Sequence, residues 1–317
     1  MSIRSSLALY ERRWLSLHGN TRGAIWILIA GFVTTVQSLM VKQIGDDLHT
    51  FEVVFLRCLF GLSILLPLAL KSGIATLKTG RMHLHFMRAS VSLASMGCSF
   101  YALAHLPLAD ATAYGFTIPL FMIPIAMVMF GETVRWRRWT ATAIGFLGVL
   151  IMVRPDGAVH LAVPVALIGA FFNALVMAII KRLTGSERII TLMTYFTIIG
   201  TMIAFVPALL VWKTPTYWEL LLLFGIGVTG TLSQMLAAHG WYAATEATAI
   251  APFDYSRLLY AVALGFIFFS EVPGLNTAVG ALVIAASTLY IARREARLRR
   301  AAPNRPAEGK PPPEIQG

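Results

Sequence analysis

The chain has 317 residues, of which 57% are hydrophobic and 13% charged, and its mean hydropathy is +0.72. A soluble domain of this length needs far more charge to cover its surface, so the composition excludes a soluble enzyme and assigns the chain to the integral membrane class. The net charge of +11 resides in short loops and a tail, not in a basic patch interleaved with aromatics, which excludes nucleic acid as a partner.

Apolar runs of about 20 residues, the length that crosses a bilayer, occur ten times: 22–41, 50–70, 84–105, 109–131, 136–153, 161–180, 189–212, 216–239, 247–270 and 273–292. The fold class expected is therefore an all-α integral membrane protein with ten transmembrane helices. Residues 1–21 form a polar segment ahead of the first run, which is too long for a signal core and so is not a cleaved signal peptide. Residues 295–317, rich in Arg, Pro and Ala, read as a disordered cytoplasmic tail.

Twenty Lys and Arg residues fall before the first run, after the last, or in loops on that same side, against Lys42, Arg154 and Lys213 on the other. By the positive-inside rule both termini face the cytoplasm, and the expected location is the cytoplasmic (inner) membrane. A shift of 139 residues superposes Phe32 on Phe171, Lys42 on Lys181, Gly61 on Gly200, Glu132 on Glu271 and Arg154 on Arg293 without a gap. Residues 22–155 and 161–294 are thus two copies of one unit. Five helices per copy is an odd number, so the second copy inserts upside down and the halves form a 5+5 inverted repeat, the usual plan of secondary transporters.

Polar side chains inside the runs must face another helix or a wet cavity. In the first run Thr34, Gln37 and Ser38 share a face, and Asn173 in the sixth is opposite Thr34 in the repeat. Arg57, in the second run, has no acid nearby in sequence; its repeat position holds Phe196, and it is either an anion contact or bound to another helix. Arg88, Ser92, Ser95 and Ser99 line one face of the third run, and Thr231 and Gln234 keep two of those positions polar in the eighth. The hydroxyls serve a cavity or helix packing; Arg88 either snorkels to the interface or charges a cavity mouth. Tyr114, Thr117 and Phe121 of the fourth run map onto Phe253, Ser256 and Tyr260 of the ninth, an aromatic, hydroxyl, aromatic face that suits a ring-bearing substrate or ordinary packing. Pro119 is expected to loosen the fourth helix beside Tyr114. Asp254 and Arg257, three residues apart in the ninth run, are neighbours on a helix that can neutralise each other, as a structural pair or one that substrate opens.

The fifth and tenth runs lack polar stripes and read as outer supports, with Gly145, Gly148 and Gly280 allowing close packing. Glu132 and Glu271 are expected to open the helices that follow them. Cys58 and Cys98 read as small hydrophobes, no nucleotide-binding loop is present, and nothing calls for a cofactor or metal.

The phrases FYALAHLPLADATAYGFTIPLF, MFGETVRWRRWTATAIGFLGVLIMVRP and FFSEVPGLNTAVGALVIAAS resemble the EamA family of the drug/metabolite transporter superfamily over residues 22–294. The segment LHTFEVVFLRCLFGL and the third and fourth runs are similar to bacterial carriers of riboflavin and of S-adenosylmethionine within it. The resemblance implies a cavity enclosed by helices one to four and six to nine. The function expected is a secondary carrier of a small organic metabolite, ring-bearing and anionic or zwitterionic, working by alternating access as a monomer or homodimer, driven by a proton or a counter-substrate. An exporter of amino acids or toxic compounds is the alternative within transport. A membrane enzyme built on His49, His105 and Asp110, or a scaffold, is the alternative from another class; the three show no metal-ligand spacing.

Overall fold

A computed structural model describes residues 17–73, 78–131, 136–153, 160–183, 187–244, 250 and 253–301, and all regular structure among them is helical. The helices are α1 (Gly19–Ile44), α2 (Thr50–Lys71), α3 (Met82–His105), α4 (Leu108–Gly115), α5 (Ile118–Phe130), α6 (Trp136–Val153), α7 (Ala162–Leu183), α8 (Ile189–Leu210), α9 (Tyr217–Ala243), α10 (Ser256–Phe269) and α11 (Leu275–Ala301). Among the described residues six segments, against the ten expected, are long and apolar enough to cross a membrane: α1, α2, the α4–α5 pair, α7, α8 and α9. Outward-facing Val128, Leu210, Leu259 and Leu282 are exposed, as a lipid-facing surface requires.

Local chemistry sets the helix ends. Thr216 and Glu219 cap α9 reciprocally: Glu219 N–H donates to Thr216 Oγ1 at 3.3 Å, and Thr216 N–H donates to Glu219 Oε2 at 2.6 Å. His49 caps α2, its Nδ1 accepting from Phe51 N–H, so this histidine has a local structural partner. Gly131 ends α5 in the left-handed conformation, φ 64°. The fourth span breaks at Phe116–Thr117, where Phe116 and Thr117 N–H groups bond back three residues, to Ala113 and Tyr114 carbonyls. Pro119 has no N–H to offer the Gly115 carbonyl, which weakens the helix at this point, although Pro67 and Pro207 are carried inside α2 and α8. In the second half, Tyr255 occupies a matching turn with φ −69° and ψ −12°, close to the −77° and −13° of Thr117.

The most extensive packing joins α1 to α9, α3 to α7, α6 to α11 and α2 to α8; α2 also meets α9, α3 meets α8, α5 meets α7, and α1 meets α10. Glycines bring backbones together at several of these seams. A Cβ on Gly148 would lie 2.8 Å from the Gly280 carbonyl oxygen, and one on Gly61 would lie 2.9 Å from Thr231 Oγ1. Helices α6 and α11 pack chiefly on one another, at the edge of the bundle.

Candidate functional site

Where α4 stops and α10 starts, side chains from both meet α1. Arg257 Nη1 lies 3.6 Å from Asp254 Oδ1, with side-chain exposures of 27% and 44%. The separation is longer than a direct hydrogen bond, so the pair is loose enough for a third group to compete for either member. Arg257 also lies over the Phe116 ring at 5.9 Å, and a Cβ on Gly115 would meet its Nη2 at 3.7 Å. On the other side, a Cβ on Gly31 would touch the Arg257 stem at 3.0 Å, Ser256 Oγ at 3.4 Å and the Tyr260 ring at 3.7 Å. Ser256 Oγ is buried without a hydrogen-bond partner. Phe116 and Tyr255, which stand at the two breaks, have ring centres 4.7 Å apart and planes tilted by 57°. Phe253 is exposed beside them.

A second positive group lies between α2, α3, α8 and α9. Arg57 is 3% exposed and Arg88 7%. Their guanidinium carbons sit 5.3 and 5.4 Å from the centre of the Phe196 ring. Arg88 Nη1 donates to the Leu192 carbonyl, so this side chain turns inward to α8 rather than out to the interface. Gln37 reaches the same region from α1: a Cβ on Gly230 would meet Gln37 Nε2 at 2.6 Å and Arg57 Nε and Nη2 at 3.1 Å.

The remaining candidate residues divide by partner. Ser95 is buried and donates to the Gly169 carbonyl at 2.9 Å, and Ser99 borders the same glycine. Thr117 is buried and donates to its own Tyr114 carbonyl, while Tyr114 lies in an apolar cluster with Phe116 and Leu120. Thr231 fills the seam against Gly61. Phe121 packs edge-on against Phe146 and Phe171. Thr34 donates to Ala30 one turn back; Thr34, Ser92, Asn173 and Gln234 are partly exposed. The structure thus brings Ser256, Arg257 and Tyr260 together at α1, Arg57 and Arg88 together at Phe196, and Gln37 beside Arg57 at Gly230.

Sequence reasoning missed a polar knot at one end of the bundle. Lys42 Nζ pairs with Glu271 Oε1 at 2.8 Å, donates to the Leu106 carbonyl at 2.5 Å, and lies 5.4 Å from the Phe269 ring centre. Leu108 N–H donates to Glu271 Oε2 at 2.8 Å. Glu271 therefore serves the α3–α4 turn and α1; its N–H bonds back to the Gly265 carbonyl of α10 and α11 starts only at Leu275, so it does not open the following helix as expected. Glu132 lies outside the described residues, but Lys181, the counterpart of Lys42, sits 4.2 Å from the ring centre of Phe130, the counterpart of Phe269. The visible signal was the repetition of Lys and Glu at matching helix ends. At the same end, His105 pairs with Asp46 at 3.2 Å. No cluster of potential metal ligands occurs among the described residues.

Residues 21–154 match the family described as the EamA-like transporter family. The S-adenosylmethionine uptake transporter of Rickettsia bellii is 32% identical over 270 residues, which is 85% of this chain and 92% of that protein. The riboflavin transporter of Vibrio cholerae is 29% identical, covering 88% and 96%, and the pseudopaline exporter of Pseudomonas aeruginosa is 28% identical, covering 86% and 96%. A solved crystal structure 16% identical in sequence shares the fold, with a TM-score of 0.60 over 87% of this chain and 97% of that one.

Proposed function

The chain belongs to the EamA-like transporter family, and from that premise we propose that it is a secondary carrier of a small organic metabolite, working by alternating access in the cytoplasmic membrane. The proposed architecture is a 5+5 inverted repeat with both termini cytoplasmic. The supporting observation is that contacts between the halves come in pairs exchanged by the 139-residue shift. A Cβ on Gly200 would touch Cys58 Sγ at 3.4 Å, and one on Gly61, the counterpart of Gly200, would touch Thr197, the counterpart of Cys58, at 3.6 Å. Gly148 meets Ile284 as Gly145 meets Ser287. Lys42 covers Phe269 as Lys181 covers Phe130. Arg57 meets Phe196, and Phe116 meets Tyr255, each its own counterpart. Two-fold exchange of this kind gives one packing scheme two equivalent arrangements, one open to each side.

The substrate proposed is ring-bearing and anionic or zwitterionic, of the S-adenosylmethionine or riboflavin type. It would lie between α1 and the two helix breaks, where Asp254, Ser256, Arg257 and Tyr260 offer charge, a spare hydroxyl and ring faces. Coupling runs through a proton or a counter-substrate. Similarity to the pseudopaline exporter favours export as the second reading.

Proteoliposomes tested with radiolabelled S-adenosylmethionine and riboflavin decide the matter. Accumulation of either compound, reduced by Asp254→Asn, supports the uptake reading. Efflux alone from preloaded vesicles selects export, and movement of neither compound sinks the substrate assignment.

A further inference from the structure

A neutral imidazole has one N–H and one lone pair, so a ring whose two nitrogens both face acceptors is satisfied only when both carry hydrogen. His105 is held in that way. Its Nδ1 lies 2.8 Å from the Tyr101 carbonyl, which only accepts, and its Nε2 lies 3.2 Å from Asp46 Oδ1, so a neutral ring would turn a lone pair on one of them. The surroundings suit a cation. His105 stands in the last turn of α3, at the negative end of the helix, and the Tyr101 ring stacks on it with centres 4.1 Å apart. Asp47 follows Asp46 in the chain, and Asp110 adds an acid in the first turn of α4. Lys42 and Glu271 offset each other at 2.8 Å, Lys213 is turned to the Asp47 carbonyl, and His160, its ring centre 6.0 Å away, accepts Ala162 N–H on its own Nδ1.

What adjoins this contact gives it a use. Lys42 Nζ donates to the carbonyl of Leu106, the residue after His105, and Asp46 follows Lys42 by about one helical turn. The end of α1 is thus fastened to the end of α3 at two neighbouring points. Lys42 is charged throughout the physiological range, whereas a histidine is charged only while it holds a proton. Side-chain exposures of 23% for His105 and 79% for Asp46 leave the pair open to water, so the proton comes from the solvent on that side and returns to it, with no other bond changed. The 139-residue shift sets Ala244 in place of His105 and Gly185 in place of Asp46, so neither partner is repeated in the other half. We infer that His105 and Asp46 form a proton-operated latch that holds this end of the bundle shut in acid and frees it when the proton leaves. The latch deepens the carrier reading and rests on it, adding a pH control on the side that the proposed orientation sets outside.

The test labels intact cells carrying the full chain with Ser38→Cys, Cys58→Ala and Cys98→Ala, using an impermeant maleimide outside at about pH 5.5 and about pH 8, either side of the range in which imidazole changes charge. Each rate is divided by that of the same chain with His105→Gln at the same pH, which cancels the pH dependence of the thiol. The ratio is near one in base and falls about threefold or more in acid, as one partly exposed ion pair allows. His105→Lys, whose charge persists, keeps labelling low at both pH values, Asp46→Asn behaves as His105→Gln, and His160→Gln leaves the response intact. A His105 with a merely structural role gives a ratio that does not move with pH; that result, or loss of the response in His160→Gln, overturns the latch. Should His105→Gln not fold, Asp46→Asn supplies the reference. Nitrogen NMR of the chain carrying isotope-labelled histidine, in detergent, reads the site directly: the resonance missing from His105→Gln shows both nitrogens protonated at about pH 5.5, and a neutral ring there overturns the latch as well. A pH response in a chain whose vesicles move neither S-adenosylmethionine nor riboflavin keeps the latch and removes the substrate assignment. Transport without the pH response does the reverse.

Discussion

Replacing Lys42 with methionine removes the centre of a three-way tie between α1, the α3–α4 turn and the segment before α11. Three interactions go: the 2.8 Å ion pair to Glu271, the 2.5 Å bond to the Leu106 carbonyl, and the contact with the Phe269 ring. Side-chain exposures of 12% and 20% place the pair between the surface and buried regimes. A surface pair contributes about 0–1 kcal/mol, and removing one partner of a buried pair costs about 3–5. A cost of about 2 kcal/mol is expected here, since Glu271 keeps the Leu108 N–H and gains some water. In the proposed cycle the tie exists only while this end is shut, so the mutation shifts the closed-to-open ratio by a factor of about 30. The assay is labelling of a cysteine at position 38, one turn below Lys42, by an impermeant maleimide applied to the outer face of intact cells, with Cys58 and Cys98 replaced by alanine. Lys42→Met raises the labelling rate by at least tenfold, Glu271→Gln raises it less, and the double variant resembles Lys42→Met because the two residues act as a unit. Unchanged labelling, or effects that simply add, would refute the tie.

Gly148→Leu drives a side chain into the Gly280 carbonyl and the Ile284 backbone, neither of which can move aside; overpacking of this kind costs about 1–3 kcal/mol, and the variant melts below the wild type in detergent. Thr216→Ala removes the reciprocal cap of α9 at a cost of about 1 kcal/mol, seen as a lower melting temperature with no change in ligand preference. Phe196→Arg sets a third guanidinium on the order of 5 Å from both Arg57 and Arg88, a repulsion of about 3 kcal/mol with each at an effective dielectric constant near 20, so its yield of folded protein falls sharply, whereas Phe196→Leu folds and loses only the two ring contacts.

Six of the ten expected spans are membrane-length apolar helices among the described residues, legible because lipid demands long apolar runs, and the runs at 50–70 and 189–212 coincide with α2 and α8 almost residue for residue. The fracture at Phe116–Thr117 was half legible: Pro119 announces a missing donor, but its counterpart Leu258 does not, and Tyr255 turns without a proline. Polar side chains were easier to find than to interpret. Ser95 and Gln37 look alike as polar residues on inward faces, yet Ser95 is consumed by the Gly169 carbonyl while Gln37 reaches the donors around Gly230. Thr34, Thr35 and Ser38 illustrate the difficulty, because each donates to a carbonyl one turn back, a bond available in any helix that says nothing of what the face meets. Lys42 and Glu271 were hidden for a different reason: they lie at opposite ends of the chain, and only the three-dimensional closure of the bundle makes them partners.

The internal repeat offers one more reading of the candidate residues. Two halves that exchange roles must pack alike, and the packing positions are alike: Gly61 and Gly200, Lys42 and Lys181, Phe130 and Phe269. A small metabolite has no two-fold axis of its own, so the surfaces that grip it have no reason to match and good reason to differ. The charged candidates obey that expectation, whereas the hydroxyl of Ser256 is matched by that of Thr117. Arg57 faces Phe196 in the repeat, Asp254 faces Gly115 and Arg257 faces Ile118. Where the halves agree they hold the bundle together; where chemically active residues stand in one half only, at Phe196 and at the paired helix breaks, the asymmetry falls where an asymmetric ligand would be held.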